Sequence, residues 1–280
     1  MNTRLIMIEG IPGSGKTTIA GKINGYLREN NIATHLYQED DYSPTDLKWH
    51  AVMTRNEYDR LLQKYSDIAA EISKNTVFHN GQPIVSYNKI ICLDQEFYRE
   101  MEGYEIYNGK LPLQDFCSIL QTRWSSFAKE ASQKEELTIF ENALLQSQVN
   151  DLLAIHTLDD QTIYSYLNRL VDPILSLNPV LIYLCAEDVE ETIRHIAQER
   201  SSVNGQPSWL EMAKHWVQWS PYGKLHGLTG YDGVVAFCSE RKRVELGFLH
   251  ATPLRSLVVR VNRNYDTVFE EIKDFLNIVI

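Results

Sequence analysis

The sequence is short of the features that would place a chain in a membrane, outside the cell or on a nucleic acid. No window approaches the roughly 18 consecutive apolar residues that a bilayer span requires, and the opening MNTRLIMIEG carries too brief an apolar run for a secretory signal. The expectation is a cytoplasmic protein with no membrane partner. Four cysteines, Cys92, Cys117, Cys185 and Cys238, lie far apart without a C-x-x-C pair, which argues against a zinc site or a redox dithiol and leaves buried free thiols. Basic residues are outnumbered, 27 against 37 acids, for a net charge of -10. Neutralising a phosphate backbone needs surplus Lys and Arg, so nucleic acid is not an expected partner, although a local cluster of donors can still hold a small anion. Eight histidines show no H-x-x-x-H or other ligand spacing, and no metal is expected beyond magnesium carried with a nucleotide.

What the chain does have is short apolar runs at 5–8, 34–37, 137–140, 180–185 and 257–261, alternating with turn chemistry and helical patterns. That alternation predicts a parallel sheet covered by helices. A helix is expected over 16–29, where Ile19, Ala20, Ile23 and Leu27 share one face; another follows the fourth run, and a last one spans 266–276, capped by Asn264 or Asp266. The interval between the second and third runs is too long for a loop inside a compact domain and must fold as an insertion. Helices are expected there over 55–74 and 113–129, parted by the turn-rich HNGQPIVSYNK. A second insertion holds the aromatic-rich WLEMAKHWVQWSPYGKLHGLTGYDG and then VVAFCSERKRVELGFL, which reads as a hairpin with Arg241, Lys242 and Arg243 at its turn as solvated charge, a phosphate role being the alternative.

The first run leads into GIPGSGKT, where Gly10, Gly15, Lys16 and Thr17 satisfy the Walker A pattern G-x-x-x-x-G-K-[ST]. The motif follows a strand and opens a helix, the arrangement in which main-chain N–H groups and a helix N-terminus converge on an anion. Glycine is needed where a Cβ would block positive φ angles or the approach of the backbone to phosphate oxygens. Gly10, Pro12, Gly13, Ser14, Gly15, Lys16, Thr17 and Thr18 are therefore the candidate ATP-binding residues. Lys16 would bridge the β- and γ-phosphates, and the Thr17 hydroxyl would ligate magnesium. The expected fold class is α/β, a P-loop NTPase three-layer αβα core with a five-stranded parallel sheet and a large helical insertion. The organisation is a single domain, 1–280, with insertions at 42–135, mainly helical and on the acceptor side, and at 200–248, lid-like.

The cradle alone does not separate kinases from GTPases and motor ATPases. No N-K-x-D reader of guanine is present, which argues against a GTPase switch. The nearest approach to four apolar residues followed by Asp-Glu is IICLDQE, where Gln95 intervenes within the insertion, so Asp94 reads as a solvated strand or helix-end acid. Better placed acids sit at the carboxyl ends of core strands, where open α/β sheets bind ligands. Glu39, Asp40 and Asp41 follow the second run, and Glu141 follows the third. One such carboxylate can orient an attacking hydroxyl or take its proton, while another holds water on magnesium. Asp40 and Glu141 are candidates for catalysis, and Glu39 and Asp41 for binding the acceptor.

With these residues the chain resembles the P-loop kinases of the thymidylate kinase and nucleoside or nucleotide kinase superfamily, over 1–40, 115–200 and 255–280. The resemblance implies a substrate-contacting Arg123 in SILQTRWSSF and a lid after LIYLCAEDVEETIRHIAQERSS, with Arg194 and Arg200 in the lid-proximal positions. There an arginine neutralises the transferred phosphoryl group and a closed lid excludes water. It also implies adenine contacts from Asn262 and Arg263 in VNRNYD. The family's third strand ends in Asp-Arg or Glu-Arg, whereas this chain has Glu141 followed by Asn142. The acid is kept and the base is lost. The expected function is ATP-dependent transfer of the γ-phosphate to a small-molecule acceptor such as a nucleoside or nucleotide. The alternative is an ATP-binding regulatory module with slow ATPase activity that grips a protein through its insertions. The sequence identifies neither the acceptor nor the oligomeric state.

Overall fold

The computed structural model describes residues 3–39, 41, 43–109, 111–201, 207–261 and 264–280; Asp40, Asn262 and Arg263, named above as candidates, lie outside the described residues. The strands are β1 (Leu5–Glu9), β2 (Thr34–Tyr37), β3 (His50–Val52), β4 (Thr76–His79), β5 (Gln82–Ser86), β6 (Leu137–Glu141), β7 (Val180–Ala186) and β8 (Arg255–Val261). The helices are α1 (Lys16–Glu29), α2 (Arg55–Lys64), α3 (Ala69–Lys74), α4 (Gln95–Glu102), α5 (Leu113–Ser132), α6 (Gln146–Val149), α7 (Asp160–Val171), α8 (Val189–Glu199), α9 (Trp209–Trp219), α10 (Pro221–His226), α11 (Gly230–Ala251) and α12 (Tyr265–Val279).

The five apolar runs of the sequence become β1, β2, β6, β7 and β8, which form one all-parallel sheet in the order β2-β6-β1-β7-β8. Strand residues alternate between the two faces of such a sheet. Ile6, Ile8, Ile139, Ile182 and Leu184 pack in one cluster with Ile19 and Ile23 of α1 and Val268 and Ile272 of α12. On the other face Phe140 meets the rings of Trp124 and Phe127 from α5, and the Tyr183 hydroxyl donates to Glu245 of α11. Burial on both faces, at roughly 1.5–3 kcal/mol per aliphatic side chain, fixes the strands and hence the loops at their carboxyl ends. The chain therefore has the expected α/β class, with helices on both faces of a five-stranded parallel sheet.

The chain divides into two compact units, Met1–Thr45 with Arg123–Ile280, and Asp46–Thr122. The second has its own core, with Tyr58, Leu61, Ile72, Val85 and Phe97 among its buried residues. Besides helices it holds a three-stranded antiparallel sheet, β3-β5-β4, which the purely turn-like reading of HNGQPIVSYNK missed. His79 pairs with Gln82 across a two-residue loop, Asn80 and Gly81, with φ of 50 and 82. Asn-Gly with both residues at positive φ is the type I′ turn that matches the twist of paired strands. Asp94 caps α4, its side chain accepting from the Glu96 N–H.

A larger correction concerns VVAFCSERKRVELGFL. It is the interior of α11, not a hairpin. The buried residues Val234, Phe237, Cys238, Arg241, Val244, Glu245, Phe248 and Leu249 recur at spacings of three and four, the period of a helix. Arg241 belongs to that buried stripe and is not solvated charge at a turn. Cys238 is buried there, with its thiol pushed up to about 11 by burial, whereas Cys92, Cys117 and Cys185 are only half-buried. Among the described residues no helix is long and apolar enough to cross a membrane.

Candidate functional site

β1 delivers the chain to the phosphate loop at Glu9, and α1 carries it away from Lys16. Between them Gly10, Gly13 and Gly15 all take positive φ. Gly15 is the N-cap residue of α1, at φ 88 and ψ 21, and a Cβ there would collide with the ring of Tyr265 at the start of α12. Both conditions select glycine. No side chain caps α1, and its first turn contains no acid. The first N–H groups of any helix lack intrahelical partners and carry the positive end of its dipole, so this terminus is left open to an anion. A cavity of about 280 Å³ lies over it, bordered by Pro12, Gly13, Gly15, Lys16, Thr17 and Thr18. Glu39, Glu141 and Gln146 line it from the sheet edge, and Glu199, Arg200 and Trp209 from the end of α8 and the start of α9.

Lys16 is nearly fully buried, and its Nζ donates to the carbonyls of Gly10 and Ile11 at 3.0 and 3.1 Å. Burial lowers its pKa; the charges of Glu39, Glu9 and Glu141 work the other way, and that of Arg241 adds to the lowering. The next residue makes the contact that matters most chemically. Thr17 Oγ1 donates to Glu141 Oε1 at 2.5 Å, joining the first turn of α1 to the last residue of β6. Burial raises the Glu141 pKa, against the hydrogen bond from Thr17 and the charge of Lys16. Glu39 accepts from Gln146 Nε2 at 2.7 Å.

Beneath the loop, Glu9 is fully buried and accepts from the Leu144 N–H at 2.6 Å. Its carboxyl is pushed up to about 7, chiefly by burial and also by the charge of Glu245, while the N–H groups of Leu144 and Leu145 and the charge of Lys16 oppose the shift. The folded chain therefore holds this proton at pH values where the unfolded chain, with an ordinary value of 4.5, has released it. Stability should fall as pH rises between those two values, by about 3 kcal/mol in order of magnitude. Denaturant unfolding from about pH 5 to about pH 8 is expected to show that decline, and Glu9→Gln to flatten it. Parallel profiles for the two proteins would contradict this account of Glu9.

Of the residues singled out in the sequence, the structure gathers Pro12, Gly13, Gly15, Lys16, Thr17, Thr18, Glu39, Glu141 and Arg200 around one cavity. Gly10 is buried beneath it, and Ser14 lines a second cavity of about 160 Å³ with Asp188 and Thr192. Arg200 follows α8 as its C-cap, its N–H donating to the Ile196 carbonyl and its own carbonyl accepting from Trp209. Three others stand apart from the cavity lining. Asp41 is exposed and closes its own turn, accepting from the Gln38 N–H at 2.8 Å. Arg194 is exposed and paired with Glu190 one turn away at 2.7 Å, and Arg123 Nε donates to the Pro44 carbonyl at 3.1 Å.

Sequence reasoning missed Glu9, Gln146 and Tyr265; it read Trp209 as core packing of the insertion over a ring stack, and Arg241 as solvated charge over a phosphate contact. For Arg241 a signal exists: an Arg and a Glu four residues apart on an otherwise apolar helical stripe mark a buried ion pair. For Gln146, five residues past Glu141, no spacing rule applies.

Among solved structures, deoxyadenosine kinase from M. mycoides with bound dATP aligns with 98% of this chain and 99% of its own, at 17% identity and a TM-score of 0.40. So loose a likeness carries nothing about substrate. No curated protein matches the sequence. A family model described as chromatin associated protein KTI12 matches residues 3–81, a stretch that takes in β1, the phosphate loop, α1 and β2 and ends in the second compact unit.

Proposed function

We propose that the chain is an ATP-dependent phosphotransferase of the P-loop kinase kind, acting on a small hydroxyl-bearing acceptor. The observation that carries the reading is the 2.5 Å contact between Thr17 and Glu141, set beside an uncapped helix N-terminus and a buried lysine. Gly10 to Thr18 would hold the triphosphate through main-chain N–H groups, with the Lys16 ammonium exchanging two loop carbonyls for phosphate oxygens. A hydroxyl and a carboxylate form a hard-oxygen donor set that suits magnesium, so Thr17 and Glu141 would hold the ion; bound there, it would neutralise charge on the phosphates. Glu39, oriented by Gln146, would position the acceptor hydroxyl and take its proton. Arg200 would place a positive charge on the transferred group, with α9, whose Trp209 lines the same cavity, closing over it while α11 stays packed on the sheet.

A second reading rests on the family-model match, whose description names chromatin association. On that reading the chain binds and slowly hydrolyses ATP while acting on a macromolecular partner. ATP consumption separates the two. The kinase reading expects stimulation by one member of a panel of small hydroxyl- or phosphate-bearing compounds. Stimulation by macromolecules alone would favour the second reading, and silence in both arms would count against transfer chemistry.

A further inference from the structure

α11 reaches the phosphate loop from a distant part of the chain. Its Arg241 is only 2% exposed. Nη2 donates at 3.0 Å to the Gly10 carbonyl, the same oxygen that accepts from Lys16 Nζ at 3.0 Å. Nη1 donates to Asn150 Oδ1 at 3.3 Å, just past α6, and Nε stands 2.7 Å from Glu245 Oε1 one turn further along the helix. Glu245 is fully buried, and its other oxygen accepts from the Tyr183 hydroxyl of β7 at 2.6 Å. One guanidinium thus ties together the first carbonyl of the loop, the segment after β6 and, through Glu245, the neighbouring strand. Stability is a poor account of such a pair, because buried ion pairs can often be replaced by apolar residues without loss.

We propose that Arg241 is a positioning residue for nucleotide: it holds the Gly10 carbonyl in place when Lys16 leaves that oxygen for a phosphate. The inference rests on the nucleotide-binding reading above. A buried carbonyl abandoned by its donors is costly, and the loop would relieve that cost by turning the peptide. The Gly10 carbonyl and the Ile11 N–H share one rigid plane, so turning one redirects the other and spoils the cradle. Arg241 prevents this by keeping a donor on the carbonyl throughout. Two cations on one oxygen also make the resting place of Lys16 less favourable, which eases its transfer to phosphate. Only a planar fork presents separate nitrogens to Glu245, Asn150 and Gly10 at once; a lysine ammonium would be drawn to the Glu245 carboxylate.

The test compares MgATP binding by calorimetry, and thermal unfolding, in the wild type, Arg241→Lys and the double variant Arg241→Met with Glu245→Met. The double variant removes both buried charges together and is expected to fold, at a lower unfolding temperature because the buried Tyr183 hydroxyl loses its acceptor. It should nonetheless bind MgATP about tenfold or more weakly, with the same loss for magnesium and inorganic triphosphate, because the defect lies in the phosphate cradle. A folded double variant with wild-type affinity overturns the proposal. Should the double variant not fold, Arg241→Lys decides: it keeps the charge opposite Glu245, weakened MgATP binding supports the positioning role, and unchanged binding refutes it. A wild-type protein that does not bind MgATP brings down the proposed function as well, whereas binding that is lost in Lys16→Ala but kept in both Arg241 variants brings down this inference alone.

Discussion

Lys16→Ala is expected to abolish tight MgATP binding and turnover while leaving the chain folded. The lysine is nearly fully buried and its ammonium rests on two main-chain carbonyls. Burial lowers its pKa, which means that holding the charge there already opposes folding. Deleting it takes one donor from each of two loop carbonyls, which keep Arg241 on Gly10 and the Ser14 N–H on Ile11, and it removes a desolvated cation, so the thermal midpoint should change little. Binding is different, because phosphate oxygens gain a charge-assisted partner from a nearly fully buried ammonium. Truncating one partner of such a pair costs roughly 2–5 kcal/mol, or about 30-fold to several thousandfold in affinity. Calorimetry with MgATP and circular dichroism on the same samples check both halves. Undiminished affinity in a folded variant would remove the phosphate loop from the account.

Glu141→Gln should separate chemistry from binding and from stability. Glutamine keeps the shape of the side chain and a carbonyl oxygen to accept the Thr17 hydroxyl, now 2.5 Å from the carboxylate. The negative charge alone is lost. If that charge holds magnesium during transfer, turnover should fall by about 100-fold or more while ATP affinity changes by less than about threefold. Burial raises the pKa of Glu141, so a neutral amide in its place should leave the protein as stable or more stable near neutral pH. Loss of activity with a gain in stability is the pattern of a side chain kept for chemistry. Equal falls in affinity and turnover would instead place Glu141 in ground-state binding.

Much of this architecture was legible because it is written locally. Apolar runs of four to six residues between turns marked the strands of the parallel sheet, and Ile19, Ile23 and Leu27 marked the buried face of α1. The errors came where local patterns were ambiguous or read at the wrong period. In VVAFCSERKRVELGFL the charges interrupt the apolar residues often enough to suggest a turn between two strands, yet the buried set follows helical spacing. Asn80 and Gly81 carried a hairpin signal that was read only as a turn, since the strands beside it are short and one of them, β4, is half exposed.

The site divides along the same line. Glycine spacing before a lysine and a hydroxyl residue settled the shape of the loop and the opening of α1, because positive φ angles and an uncapped helix start depend on a few consecutive residues. Glu39 and Glu141 could be placed near that loop from the sequence, since strand ends in a parallel sheet share one edge. The partners of those groups were beyond its reach. Arg241 meets Gly10 across 231 positions of chain, Thr17 meets Glu141 across 124, and Glu9 is buried against Glu245 and the amides after β6. Which charges share a dry interior depends on how helices and strands pack, and only that packing put two cations on one carbonyl and lifted a carboxyl to about 7.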